Sequence, residues 1–219
     1  MEDFKVIKTA DGSHSVYVDS LDEHYHSYHG ALNEAQHVFI NNGIDTVSDK
    51  QINVLEVGYG AGLNTLLTFL YAKENECLVN YEAYDTVILP SNILDALNYA
   101  ELVDAKAEFK TITNSSWNIM CQITPFFSLN KLNEKIQDAN LKQSYFDVVY
   151  YDAFGPRAQN EMWDKAIFQK LYDSLKTNGC LVTYCAMGQL KRDLKSIGFH
   201  VVSLPGPPGK REMTKAIKI

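Results

Sequence analysis

The chain has 219 residues, 46% hydrophobic and 21% charged, which excludes a disordered segment and suits one ordinary core, with no easy room for a second catalytic domain. Lys and Arg number 20 against 27 Asp and Glu, a net charge of −7, so the whole-chain charge gives no sign of a nucleic-acid binder. No apolar run approaches the ~18 residues of a membrane span, and Met1-Glu2-Asp3-Phe4-Lys5 has no signal-peptide pattern, so a cytoplasmic protein with no membrane partner is expected.

Residues 1–50 read as an N-terminal extension and 51–219 as the core of a single domain. Phe4–Thr9 and Ser15–Val18 are β-prone runs around Ala10-Asp11-Gly12-Ser13, and Asp-Gly there signals a hairpin because Gly takes positive φ at no steric cost. A helix is expected from Ala31 to Asn41, stopped by Asn42-Gly43. Ile52–Val57 reads as a strand, Leu63, Leu66, Leu67, Leu70 and Tyr71 repeat with helical spacing, and Cys77–Tyr84 reads as the next strand. Pro90 suits a first helical turn that Ile93, Leu94, Leu97 and Leu102 continue. Over 104–145 the pattern gives a helix or loop, a strand near Pro125–Asn130 and then a polar helical stretch. Phe146–Tyr151 is a buried strand, and Trp163, Ile167, Phe168, Leu171, Tyr172 and Leu175 form one helical face that Asn178-Gly179 ends. Cys180–Cys185 is a strand, and Leu190, Leu194 and Ile197 mark a helix stopping at Gly198. His200–Leu204 and Met213–Ile219 close the chain as an antiparallel pair. Such alternation predicts an α/β fold with a mostly parallel sheet covered on both faces.

Val57-Gly58-Tyr59-Gly60-Ala61-Gly62 joins the first core strand to its helix. Glycines let a ligand approach the backbone, and the helix start adds unpaired N–H groups and a positive dipole end. A dinucleotide fingerprint would need its third Gly at position 63, which is Leu63. The loop is instead GxGxG with Glu56 two residues ahead, a form common in enzymes that use S-adenosylmethionine; a plain tight turn reads the same way. Asp85 falls 23 residues after Gly62 at a strand end, where an ionised carboxylate can accept both ribose hydroxyls.

Tyr150-Tyr151-Asp152-Ala153-Phe154-Gly155-Pro156 runs off the carboxyl end of a central strand, the edge at which open α/β sheets bind ligands. Asp152 can be a site residue or a turn cap. Asp152-Ala153-Phe154-Gly155-Pro156 followed by Glu161-Met162-Trp163 resembles the signature of the MnmC-like methyltransferase family, the tRNA 5-aminomethyl-2-thiouridine methyltransferases. Thr9–Ser13, Glu23–Ser27, Gly30–Phe39, Glu56–Asn64 and Gly206–Met213 fit the same family in the same order. Asn160 departs from the Pro that often precedes the Glu-Met-Trp run.

The resemblance implies a class I, Rossmann-like S-adenosylmethionine-dependent methyltransferase: a mostly parallel seven-stranded sheet with an antiparallel last strand. It implies S-adenosyl-L-methionine as cofactor, with Glu34, Glu56, Gly58, Gly60, Gly62, Asn64, Asp85 and Asp152 as binding residues. It implies N-methylation of a 5-aminomethyl group on the wobble (2-thio)uridine of tRNA, in the stand-alone form without an FAD oxidase domain. The anticodon loop of tRNA is then the partner, and enzymes that install the aminomethyl group are expected neighbours. The adenine contact falls among Asn130, Asn133 and Glu134.

Asp152 is the expected catalytic residue: it orients the amine and helps its proton leave, while in-line positioning itself contributes about 7–11 kcal/mol. Tyr25, Tyr28, Phe154 and Trp163 are candidates to stack on a splayed base, with Pro156 beside them, although Trp163 also fits a core helix face. Residues 188–219 hold seven Lys or Arg against two acids, a net +5. Lys210 and Arg211 are therefore expected to meet phosphate. Cys77, Cys121, Cys180 and Cys185 lack CxxC spacing and read as reduced thiols, and His24, His26, His29 and His37 are a weak metal pattern, so no metal is expected. Three rivals stay open: polyamine synthases, which share the glycine loop, a strand-end acid and a comparable Asp; another amine N-methyltransferase on the same fold; and a cofactor- and RNA-binding module without activity.

Overall fold

The computed structural model describes residues 4–219; residues 1–3, part of the segment read for a signal pattern, lie outside the described residues. The N-terminal extension begins with a three-stranded antiparallel sheet, β1 (Phe4–Lys8), β2 (His14–Val18) and β3 (Glu23–His24). The Asp-Gly turn closes the β1–β2 hairpin as expected, with Gly12 at φ 86°. The core sheet comprises β4 (Gln51–Val57), β5 (Leu78–Asp85), β6 (Cys121–Thr124), β7 (Phe127–Asn133), β8 (Phe146–Tyr151), β9 (Leu175–Thr183), β10 (Phe199–Pro205) and β11 (Glu212–Lys218), in the order β10-β11-β9-β8-β4-β5-β7-β6.

β4 and β8 pair in parallel at the centre, from Val54↔Val148 to Val57↔Tyr151. Their near-continuous apolar runs are buried because helices cover both faces. The chain moves from β4 outward to β5 and β7, then returns to β8 on the other side of β4. That reversal puts the topological switch point at the carboxyl ends of β4 and β8, where the glycine loop and the Asp152 loop emerge. One core layer packs Phe39, Leu66, Tyr81, Phe127 and Tyr150; the other packs Leu55, Val149, Tyr151, Phe168, Leu171 and Leu194.

Several boundaries differ from the sequence expectation. The sheet has eight strands, not seven, because the chain doubles back at Pro125 and β6 pairs antiparallel along the outer edge of β7. The helix expected over 31–41 is α1 (Ala31–Ala35) continued by a π-helical segment, Gln36–Asn41. After α2 (Leu63–Glu74), the single helix expected beyond Pro90 is broken into α3 (Ser91–Asp95) and α4 (Tyr99–Leu102), followed by α5 (Lys106–Asn114). Asn98 makes the break: its amide donates to the Gly12 carbonyl at 2.9 Å and accepts the His14 N–H at 2.8 Å, tying this segment to the hairpin.

No helix forms over 134–145; Lys170 reaches across from α6 (Lys165–Ser174) and donates to the carbonyls of Ile136, Gln137 and Ala139, which a helix would have used itself. α6 stops at Ser174, because Leu175 already pairs with Phe146 as the first residue of β9, and Asn178-Gly179 is a bulge within that strand. Trp163 precedes α6 in a 3-10 turn, Asn160–Trp163, and Asp164 caps the helix by accepting the Ala166 N–H at 2.7 Å. α7 (Gly188–Ile197) ends at Gly198, as expected. All four cysteines are free, with Cys77, Cys180 and Cys185 buried and Cys121 partly so.

Candidate active site

The loop between β4 and α2 and the loop after β8 lie against each other. Gly58 has φ 93°, and a Cβ built there would stand 2.5 Å from the Asp152 carbonyl oxygen, so only glycine lets the two loops close. Gly60, at φ 54°, lies under the Tyr25 ring, which a Cβ would meet at 2.9 Å. Asp85, at the end of β5, holds this arrangement: one carboxylate oxygen accepts the Gly60 N–H at 2.8 Å and the other the Val87 N–H at 2.9 Å. Gly62, at φ 79°, sets the turn from which α2 starts.

Asn64, in the first turn of α2, spends both amide hydrogens on carboxylates: Nδ2 donates to Glu56 at 2.9 Å and to Asp152 Oδ2 at 2.8 Å. Two acceptors on Nδ2 fix the amide's orientation and leave its Oδ1 buried without a partner among the described residues. Glu56 is fully buried, and burial pushes its carboxyl well above the ordinary range, with the charge of Asp152 adding to the shift. The Asp152 carboxyl is pushed up to about 7, first by burial and then by the nearby charge of Glu34; the Asn64 hydrogen bond and Lys210 pull the other way.

Glu34, buried on α1, forms an ion pair with Lys210 from the turn between β10 and β11 and accepts the Ser27 N–H at 2.8 Å. The Lys210 ammonium stands 3.9 Å from the centre of the Tyr184 ring, and the Tyr184 hydroxyl donates to the Ala153 carbonyl at 2.9 Å.

A cleft opens above these loops. Of the residues expected from sequence, Tyr25, Gly58, Gly60, Asp85, Asp152 and Phe154 line it, with Tyr25 and Phe154 packed edge to face at 5.1 Å. Glu56 and Asn64 do not line it; they lie beneath the loops and brace them. Glu34 is likewise turned to Lys210 rather than to the cleft. Lys210, expected to face phosphate, points its ammonium inward, while Arg211 is exposed; both line a separate recess with Tyr184, Cys185, Ala186 and Glu212. Trp163 is a packing residue: its ring meets Tyr151 edge to face and Phe168 at a tilt, and its indole N–H donates to the Phe154 carbonyl at 2.8 Å, so it bears on the loop from behind. Pro156 sits half-buried in the turn and is not in the cleft wall.

The sequence reading missed Thr86, Val87, Ile136, Gln137, Gln159 and Met162, all of which line the cleft. Among the three adenine candidates, Glu134 lines it, Asn133 donates to the Asp85 carbonyl at 3.1 Å, and Asn130 pairs with Glu82 within the sheet. The signal that finds Glu134 is its place just past the end of β7, once that end is known. The histidines have separate partners. His37 bonds the Pro205 carbonyl at 2.8 Å, His24 packs on Tyr17, and His26 is buried beside Tyr99 and held down to about 4 by that burial. Among the described residues no three His, Cys, Asp or Glu are grouped to hold a metal, and no helix is long and apolar enough to cross a membrane.

A glycine loop, a strand-end acid and a second acid at the switch point of this sheet define a class I methyltransferase architecture. Residues 102–219 match the S-adenosyl-L-methionine-dependent methyltransferase family, and the chain belongs to it. S-adenosylmethionine is thus its methyl donor. The chain is 26% identical over 217 residues to the tRNA 5-methylaminomethyl-2-thiouridine biosynthesis bifunctional protein MnmC of Cupriavidus necator, covering 91% of this chain and 32% of that protein. The protein of the same name from Leptospira interrogans is 27% identical over 214 residues, 89% of this chain and 32% of its own length. The chain therefore spans about a third of the length of these curated relatives. Among solved structures it resembles MnmC2 from Aquifex aeolicus, with a TM-score of 0.76 and 23% identity over 99% of this chain and 70% of that one. Spermidine synthase from Thermotoga maritima shares the fold at a TM-score of 0.55 and 13% identity, over 100% of this chain and 69% of that one.

Proposed function

We propose that the chain methylates the 5-aminomethyl group of (2-thio)uridine at the wobble position of tRNA, giving 5-methylaminomethyl-(2-thio)uridine. The observation that carries this reading is Asp152. It is a carboxyl titrating near neutrality, braced by Asn64 at the mouth of the donor loop, in a chain whose relatives are named for 5-methylaminomethyl-2-thiouridine biosynthesis.

The residues present fit the donor. Gly58 and Gly60, both in the left-handed region, line the cleft, and their missing side chains let the Asp152 loop and the Tyr25 ring close against the donor loop. Asp85 lies beside them with a carboxylate suited to ribose hydroxyls, and α2 starts directly after the loop at Gly62, which gives its first N–H groups no side-chain cap. Glu134, Lys135 and Gln137, just past β7, offer polar groups for the base of the donor, and Ile136 and Met162 supply apolar surface. When bound, the donor supplies a sulfonium whose methyl carbon is already electrophilic.

The chain's own part is orientation and proton transfer. Asn64 engages only Oδ2 of Asp152, leaving Oδ1 to accept an N–H of the substrate amine. That bond aims the nitrogen lone pair, and Asp152 takes the proton the nitrogen sheds as its new bond to carbon forms. A base titrating near 7 is matched to this task at neutral pH. Tyr25 and Phe154 wall the entrance and offer aromatic surface to the splayed base.

The decisive experiment incubates the protein with S-adenosylmethionine and tRNA carrying 5-aminomethyluridine, then digests the RNA to nucleosides for mass spectrometry. The methylated nucleoside is expected. Donor binding without transfer would leave only a binding module, and aminopropyl transfer from the decarboxylated donor to putrescine would move the chain to the polyamine synthases.

A further inference from the structure

Lys210 carries more than the transfer described above uses. A lysine that serves phosphate keeps its ammonium in water. This one folds inward onto Glu34, a carboxylate only 5% exposed, and covers the Tyr184 ring at 3.9 Å. Holding a lysine there costs desolvation and side-chain entropy, so the arrangement needs a reason in the site. The geometry supplies one. Tyr184 is bonded to the Ala153 carbonyl, one residue from Asp152, so the Glu34–Lys210 pair is seated against the catalytic loop. Glu34 and Lys210 act on the Asp152 carboxyl in opposite directions, the first raising its pKa and the second lowering it.

The reacting amine must be neutral, because an ammonium has no lone pair. The charge of Asp152 together with an uncompensated Glu34 charge behind its loop would favour the protonated form. We propose, resting on the amine transfer set out above, that Lys210 is a positioning residue that cancels the charge of Glu34, so that Asp152 alone faces the amine and the amine enters with its lone pair free.

The other ionisable groups around the pair do not duplicate this cation. Glu56 of β4 is joined to Asp152 through Asn64, and burial pushes its carboxyl well above the ordinary range. Glu23 of β3 and Asp11 of the hairpin turn are further acids near the pair. His26, which feels both Glu34 and Lys210, is neutral above pH of about 4. Tyr99 of α4 feels Asp152, Tyr184 and Cys185 lie beyond β9, and burial pushes all three up, keeping them uncharged.

The test compares the wild-type chain with Lys210→Met, Glu34→Gln and the double variant, using two readouts. In the first, the pH profile of kcat/KM for methyl transfer to aminomethyl tRNA is measured. Lys210→Met is expected to move its acid limb up by about one pH unit, a loss of about fivefold at pH 7 that recovers at higher pH. Glu34→Gln should move it the other way. The double variant, which leaves no buried charge unpaired, should fold normally and return the limb to near its wild-type position. The second readout is the titration of the Asp152 carboxyl by carbon NMR in the free protein: it should rise in Lys210→Met and return in the double variant. A Lys210→Met loss that is equal at every pH and is not repaired by Glu34→Gln would overturn the proposal, as would an Asp152 titration unmoved by either change. Because the NMR readout needs neither donor nor RNA, it judges the charge assignment even if the wild-type chain leaves aminomethyl tRNA unmethylated, a result that counts against the function reading alone.

Discussion

Asp152 combines a functional demand with a stability cost. Its carboxyl titrates near 7 in the fold against 3.8 in an unfolded chain, because burial disfavours the anion. The folded state therefore binds this proton more tightly, and its stability falls as pH rises from about 4 through 7. Asp152→Asn should remove that cost: we expect thermal denaturation to show a gain of one to a few kcal/mol (roughly) at pH 8 and almost none at pH 4. The same change should lower methyl transfer by about 100-fold or more, the usual scale of a lost general base, with donor affinity by calorimetry within a few-fold of wild type. Near wild-type turnover would remove Asp152 from the reaction. Asp152, Asp85 and the glycines could be found in the sequence because each lies at or just past the end of an apolar strand, and near-continuous apolar runs announce buried strands. Glu34 and Lys210 as a pair could not be found: their contact spans nearly the whole chain, and no local pattern records it.

Among the elements, α1 shows how the N-terminal extension serves the site. Its N-cap is Gly30, which has no side chain to satisfy the first N–H groups. The hairpin turn supplies the missing acceptors: Ser13 Oγ accepts from Ala31 N at 3.1 Å, and Asp11 Oδ2 accepts from Asn33 N at 3.0 Å. Burial pushes the Asp11 carboxyl up, but hydrogen bonds from Ser13, Asn33 and Thr9 outweigh it and hold the group below its usual value. Its stabilisation is thus present above pH of about 4 and lost in acid. Asp11→Ala should cost about 1–2 kcal/mol in chemical denaturation at pH 7, less near pH 3, and should speed hydrogen exchange over residues 31–35. Equal stability at pH 7 would mean that α1 holds Glu34 without the turn. Asp-Gly made this turn legible, but not what it caps, because the cap crosses from one element to another. The same limit explains the segment over 134–137. Its polar sequence reads as helix, yet Lys170 from α6 takes its carbonyls and fixes it as cleft wall. β6 was missed because a four-residue edge strand carries too few residues to show a period.

For the molecule as a whole, the basic segment 188–219 is less available to RNA than its composition suggests. Lys191 bonds Glu212 and Ser203, Lys210 bonds Glu34, Lys215 bonds the Asn42 carbonyl and Thr46, and Lys218 bonds the Leu175 carbonyl. These cations tie the last hairpin to the rest of the fold. The exposed cations nearest the reacting loops are Arg211 beside the recess, Arg157 just past the Asp152 turn and Lys135 on the cleft wall. A chain of net charge −7 with about three such contacts on a single-stranded loop should bind tRNA with a shallow salt dependence. The expected slope of log affinity against log salt is about −2, from ~0.7 per phosphate. Arg211→Gln should reduce its magnitude by about 0.7 and leave the pH profile of transfer in place, because Arg211 is exposed and lies outside the cleft. Fluorescence titrations of labelled anticodon stem-loop between low and moderate salt measure both quantities. A slope of about −5 or steeper would show that Lys191, Lys215 and Lys218 leave their present partners to meet phosphate. The closing hairpin would then be an RNA-binding arm that rearranges on contact instead of a fixed edge of the sheet.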